Sequence, residues 1–242
     1  MFGGRITLSH QGKDEAEKPF WISFADLMTS LMVLFLVVMS VALLAVTQKG
    51  SEKEGRERGR ENDISQMFTR LHKCADDFPG VTIHKERHAI DFGDQARFES
   101  ASHKLSSDQA SLLRRFVPCV LEMSKMIPEK GWLKRVVVEG FADSRGTYLF
   151  NLDLSLKRSQ RVLCILLAPQ FPQDESLTSE QKIQIRELFL VGGYSFNSTK
   201  ESLEESRRIE LRLEFFEIDE QRQHLRPRST SDLGTCALGG LM

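Results

Sequence analysis

"GFADSRGTYLFNLDLSLKRSQRV", Gly140 to Val162, decides the fold of the larger part of this 242-residue chain. The stretch "KRVVVEG" that leads into it is apolar and β-branched, and predicts a strand. "LDLSLKRSQRVLCILLAPQF" repeats its apolar residues at helical spacing and predicts an amphipathic helix. Gly140, Asp143 and Gly146 fall between them, in a loop. This unit offers a loop carboxylate, Asp143, and a helical guanidinium, Arg158. A carboxylate can accept from an ammonium, and a planar guanidinium can fork onto a carboxylate. The pair therefore suits a ligand that carries both charges. It would equally serve as an internal salt bridge that only fixes the loop.

Working outward, "VTIHKERHAIDFG" alternates like a strand and hairpin. Ser106 or Ser107 is a candidate N-cap for a helix with Leu112, Leu113, Phe116, Val117, Val120 and Leu121 on one face, and Pro118 is placed to kink it. A short helix is expected at Ser179–Ile185, then a strand in "IRELFLVGGYSF". "RRIELRLEFFEI" is a last strand with Ile209, Leu211, Leu213 and Phe215 on one face. The order β-α-β-α-β-β predicts an α+β domain over 81–218, its sheet covered by helices on one side. Residues 219–242 read as a weakly ordered tail, and no internal repeat is visible.

The N-terminal part is of another kind. Residues 1–19 form a polar tail. Residues 20–46 are apolar on every face and long enough to cross a bilayer core of ~30 Å. A cleavable signal sequence would be shorter and would end at a small-residue site. Residues 47–80 are charged, of mixed sign, and carry Gly50, Gly55 and Gly59. They predict a linker, helical where it continues the membrane helix. From Ile64 the spacing of Met67, Phe68 and Leu71 predicts a helix that packs on the domain and ends at Pro79-Gly80. Counting Lys and Arg on either side weakly favours a cytoplasmic C-terminal part.

Asp26 is the one ionisable residue between Phe20 and Val46. A charge at the centre of a membrane helix costs about 2.5–3.5 kcal/mol. Thr29 and Ser30 follow at i+3 and i+4 and extend a polar stripe. A carboxylate that faces partner helices or a water pocket can alternate between charged and neutral forms, as an ion carrier requires. The alternative is that Asp26 simply caps the helix, but Phe20, Trp21, Ile22 and Phe24 precede it.

"FWISFADLMTSLMVLFLVVM" resembles the membrane segment of MotB-type stator subunits, in which the aspartate binds the driving ion. The resemblance puts that role on Asp26. The stretch at Gly140 resembles the OmpA-like peptidoglycan-binding domain, whose pattern G-H-T-D-x-x-G-x-x-x-x-N-x-x-L-S-x-x-R is matched by Gly140, Asp143, Gly146, Asn151, Leu154, Ser155 and Arg158. Phe141 and Ala142 replace the usual His-Thr. "SRRIELRL", with Arg208, resembles that family's last strand. The resemblance implies peptidoglycan binding by Asp143, Arg158, Asn151, Phe141 and Arg208, with the diaminopimelate group held by the first two. A wall binder lies outside the inner membrane, which reverses the orientation from the Lys/Arg count and places the N-terminus in the cytoplasm and the domain in the periplasm.

Both motifs together resemble the B-type subunits of Zorya anti-phage defence systems. That resemblance implies a ZorA-like polytopic partner, five A to two B subunits, a B homodimer, and rotation driven by ions passing Asp26. The expected ion is the proton, with sodium the alternative. A flagellar MotB-type or TolR/ExbD-like transducer, or a passive wall tether, is the alternative.

Cys74, Cys119, Cys164 and Cys236 form no CxxC pair. In the periplasm they allow two disulfides with three connectivities, of which Cys74–Cys119 with Cys164–Cys236 is one. The six histidines show no metal-ligand spacing, there is no P-loop, and no nucleophile motif surrounds Ser144 or Ser155. The sequence predicts no enzyme and no cofactor, and a net charge of −1 gives no reason to expect nucleic acid.

Overall fold

The computed structural model describes residues 17–125, 131–168, 177–220 and 233–239. The chain divides into two compact units, Met1–Arg56 and Glu57–Met242. Helix α1 (Glu17–Ala75) carries most of the first. Every described side chain from Trp21 to Gly50 is exposed, and the helix is long and apolar enough to cross a membrane. Thr29 Oγ1 donates to the Asp26 carbonyl at 2.9 Å, Ser40 Oγ to Leu36 at 2.7 Å and Thr47 Oγ1 to Leu44 at 2.9 Å. These hydroxyls are thus satisfied by the helix itself. The segment expected as a linker is helical, and Gly50, Gly55 and Gly59 lie inside α1.

The second unit is an α+β domain. Its strands are β1 (Thr82–His84), β2 (Ala89–Asp91), β3 (Leu133–Gly140), β4 (Phe189–Gly193) and β5 (Ile209–Phe215), in the order β1-β2-β5-β3-β4. Among the described strands, only β3 and β4 pair in parallel. They are joined by α3 (Tyr148–Leu167) and α4 (Ser179–Leu188), as a parallel crossover requires. Helix α2 (Ser107–Lys125) precedes β3, and a short α5 (Leu203–Ser206) precedes β5. Two capping boxes start helices. Ser106 and Gln109 exchange bonds ahead of α2, and Thr178 and Gln181 do so ahead of α4. Because the second box commits 179–188 to helix, β4 starts only at Phe189.

Val136 and Val138 of β3 sit opposite Leu213 and Leu211 of β5, and these four enter the core with Phe116, Val120, Val162 and Ile165. Ile64, Met67, Phe68 and Leu71 of α1 join the same core, as their spacing predicted. Cys74 bonds Cys119, tying the end of α1 to α2. The tail departs from expectation. Cys236 is bonded to Cys164 of α3, and the Leu238 carbonyl accepts from Arg161 at 3.0 Å, so residues near 236–238 are fastened to the domain.

On the opposite sheet face, Asp91, Glu210 and Glu139 stand in one cross-strand row. Like charges placed directly opposite destabilise a sheet. Each here has its own cation: Lys200 for Asp91, Arg208 for Glu210, and Arg212 for Glu139.

Candidate functional site

The site begins where β3 ends. A Cβ on Gly140 would overlap the backbone carbonyl of Ser155, and one on Gly193 would come within 2.9 Å of the Leu156 nitrogen. Glycine at both positions lets α3 lie directly on β3 and β4. The loop then extends the sheet: Phe141 N donates to the Arg208 carbonyl at 3.0 Å and Ala142 N to Ser195 at 2.8 Å. Gly146 turns the chain with φ +93°, and Thr147 caps α3 by accepting from Phe150 N. Asn151 donates through Nδ2 to the Arg145 carbonyl at 2.7 Å and holds the loop to the helix.

This loop presents Asp143 to a cavity of about 240 Å³, lined among others by Arg145, Asn151, Arg158 and Phe150. The Asp143 side chain is 8% exposed. Its Oδ1 accepts from the Arg145 backbone at 3.1 Å, and its Oδ2 from Arg145 Nη2 at 2.8 Å and Arg207 Nη1 at 3.2 Å. Burial pushes the Asp143 carboxyl up, but the bonds from Arg145 and Arg207 outweigh it and hold the group below the usual carboxylate range.

Arg158 is held differently. It is fully buried, and its Nε, Nη1 and Nη2 donate to the carbonyls of Ser102, Phe141 and Glu99 at 2.9, 2.7 and 3.1 Å. Its guanidinium also lies 4.9 Å from the centre of the Phe98 ring. Burial pushes its pKa down to about 10, so it stays cationic at neutral pH. Arg158 therefore ties the loop after β3 to the segment 99–102, and the internal Asp143–Arg158 salt bridge that was the alternative to ligand binding is not formed.

On α1, Asp26 is exposed, and Thr29 and Ser30 line a groove with Val33, Leu34, Val37 and Val38. The Thr29 hydroxyl is turned to the Asp26 carbonyl rather than to the carboxylate.

Residues 6–50 match the family described as the membrane MotB of the proton-channel complex MotA/MotB. Over 223 residues the chain is 45% identical to "Zorya protein ZorB" of Escherichia coli O139:H28, covering 92% of this chain and 91% of that protein. The chain belongs to the ZorB family. Similar solved structures include a periplasmic domain of Helicobacter pylori MotB, at 17% identity, 54% of this chain, 78% of that one and a TM-score of 0.37. Others are a putative MotB-like protein from Desulfovibrio vulgaris, at 18%, 68%, 98% and 0.37, and the OmpA-like domain of FopA1 from Francisella tularensis, at 20%, 57%, 82% and 0.34.

In this ZorB-family chain the cavity brings together Asp143, Asn151 and Arg158 of the predicted site residues. Phe141 and Arg208 lie elsewhere. Arg208 donates to Glu210 at 2.8 Å and to the Ser198 carbonyl at 3.1 Å, and its guanidinium covers the Phe141 ring at 4.2 Å. Phe141 is buried and stacks on Tyr194. Sequence reasoning missed Arg145 and Arg207. The second was within reach: Arg207 shares strand parity with Ile209, Leu211 and Leu213, so it points to the helix side while Arg208 points away.

Proposed function

We propose that this chain is the wall-anchored B-type subunit of an ion-driven rotary motor in the inner membrane, acting in anti-phage defence. Residues 20–46 are the membrane span, and Asp26 carries the ion, a proton, past a ZorA-like polytopic partner. Five partner subunits surround two copies of this chain. The N-terminus is cytoplasmic and the domain from residue 81 to 218 is periplasmic, where it grips peptidoglycan through the Asp143 cavity. Thr29 and Ser30 line the ion path.

One observation carries this reading: a single chain joins an exposed, mostly apolar stretch of α1 whose one carboxylate is Asp26 to a domain with a charged, ligand-sized cavity. An exposed apolar helix needs lipid or partner helices around it. A carboxylate on it is costly unless it has work to do there. The two disulfides support the periplasmic placement, because such bonds persist in oxidising compartments.

The test is phage protection by cells that carry the whole defence system. Asp26→Asn is expected to abolish protection while protein level and assembly with the partner stay normal. Normal protection by that variant, together with its loss on Asp143→Ala, would make the chain a passive tether instead.

A further inference from the structure

The two disulfides stand in unlike settings. Cys74–Cys119 joins two helices that hold each other without it. Leu71 on one side and Phe116, Val117 and Val120 on the other are buried in the common core, and Cys119 packs against that core. Opening this bridge leaves both helices where they are.

Cys164–Cys236 joins unequal partners. Cys164 lies in the last turn of α3, a helix anchored by Val162, Ile165 and Leu166 in the core. Cys236 lies on the strap 233–239, in which no residue is buried. The strap has no apolar contact deep enough to offset the entropy of ordering it, about 1–2 kcal/mol per residue for the backbone. Its ties are the bridge and the Leu238 carbonyl, which accepts from Arg161 Nη2 at 3.0 Å. Between strap and helix lies an open cavity of about 380 Å³. Both cysteines line it, with Gln160, Leu163, Leu167 and Leu233. A small thiol therefore has room beside the bridge, and access is one of the factors that set the rate of thiol–disulfide exchange.

We propose that Cys164–Cys236 is a thiol–disulfide exchange site, reduced by a dithiol ahead of Cys74–Cys119, and that its reduction releases the strap 233–239 from α3. One thiolate of the dithiol attacks a sulfur of the bridge and forms a mixed disulfide. The other cysteine leaves as a thiolate and takes up a proton. The second thiolate of the dithiol then attacks the mixed disulfide, closes the dithiol's own disulfide and frees the remaining cysteine, which is protonated in turn. Two electrons and two protons pass from the dithiol to the pair. Release uncovers Leu163 and Leu167, which the closed strap keeps half-buried. In an oxidising compartment the bridge is closed, so the strap reports a change of redox state. The inference is independent of wall binding and of the Asp143 cavity.

The experiment treats the full-length protein in detergent with limiting dithiothreitol. Samples are quenched over time with N-ethylmaleimide, and each cysteine is quantified by peptide mass spectrometry. Cys164 and Cys236 are expected to be labelled at least about tenfold faster than Cys74 and Cys119. Chymotrypsin cleavage after Leu233 or Leu238 should rise in step, to the level of the oxidised Cys164→Ser/Cys236→Ser double variant. Gln160→Trp, which fills the cavity from α3, should slow labelling of Cys164 and Cys236 severalfold and leave the rate at Cys74 and Cys119 unchanged. Equal rates at the two bridges, or faster loss of Cys74–Cys119, would overturn the proposal. So would a strap that stays resistant to protease after Cys164 and Cys236 are reduced. An unchanged rate in Gln160→Trp would overturn the cavity as the route of attack.

Discussion

Asp26 and Asp143 are the same residue in opposite situations. Asp26 stands exposed on a helix whose described side chains are all exposed from Trp21 to Gly50. Asp143 is nearly buried and is met by two arginines of its own chain. A carboxylate satisfied from within can be tuned by the fold that holds it. One left outward depends on whatever surrounds the helix. The first kind suits a binding pocket, and the second suits an element that only works inside a larger assembly. The two halves should therefore fail separately, and that separation is open to measurement.

The largest effect expected is functional. Asp26→Asn should remove phage protection entirely yet leave the melting of the α+β domain and its affinity for a diaminopimelate tripeptide unchanged. If the affinity falls as well, the two carboxylates are coupled and the contrast between them breaks down.

The next effects belong to the pocket side. Gly140→Ala puts a methyl group against the Ser155 backbone, which cannot yield as a flexible side chain would. A loss of roughly 4 kcal/mol is expected, at the upper end for single substitutions. It would be read as a lower melting temperature of the full-length protein, with Asp26 unaffected. Replacing Cys164 and Cys236 together by serine opens a link of sequence separation 72. The expected cost is about 2–4 kcal/mol, with the residues around Leu238 gaining protease sensitivity. Little change there would mean that the bond between Arg161 and the Leu238 carbonyl holds the tail by itself.

Much of this was legible in the sequence, and the reasons differ by region. The apolar run 20–46 announces itself because lipid imposes a simple composition. The spacing of Gly140, Asp143, Gly146, Asn151, Ser155 and Arg158 is legible because backbone closeness and caps are local demands. What Arg158 does was not. It reaches carbonyls at positions 99, 102 and 141, and only the folded segment 99–102 brings the first two there. Arg207 meets Asp143 because Phe141 bonds to Arg208 across β3 and β5, a register that strand parity hints at but does not locate. Residues 47–63 were expected to be helical where they continue the membrane helix; that the helix runs unbroken through Gly50, Gly55 and Gly59 was not legible, because their propensity cost was outweighed. The fastening of the tail depended on which cysteine Cys236 would find.

The smallest effect concerns acid. Burial pushes the Asp143 carboxyl up, while Arg145, through side chain and backbone, and then Arg207 pull it lower overall. The folded protein therefore prefers the carboxylate more than the unfolded chain does. That preference contributes stability in full above the unfolded value, near 4, and the contribution disappears as pH falls through the lower folded value. Asp91, held low by Lys200 against its own burial, behaves in the same direction. Melting temperature should thus drop below about pH 4, with both groups sharing the loss. Arg145→Gln should make Asp143's share vanish at a higher pH, because the guanidinium that holds the carboxyl down is gone. Asp143→Asn should delete that share and leave Asp91's. If Arg145→Gln leaves the acid limb where it was, Asp143 is not held by its neighbour in solution. It would then be a carboxylate waiting for an outside partner, as Asp26 is, and the contrast between the two halves would narrow to burial alone.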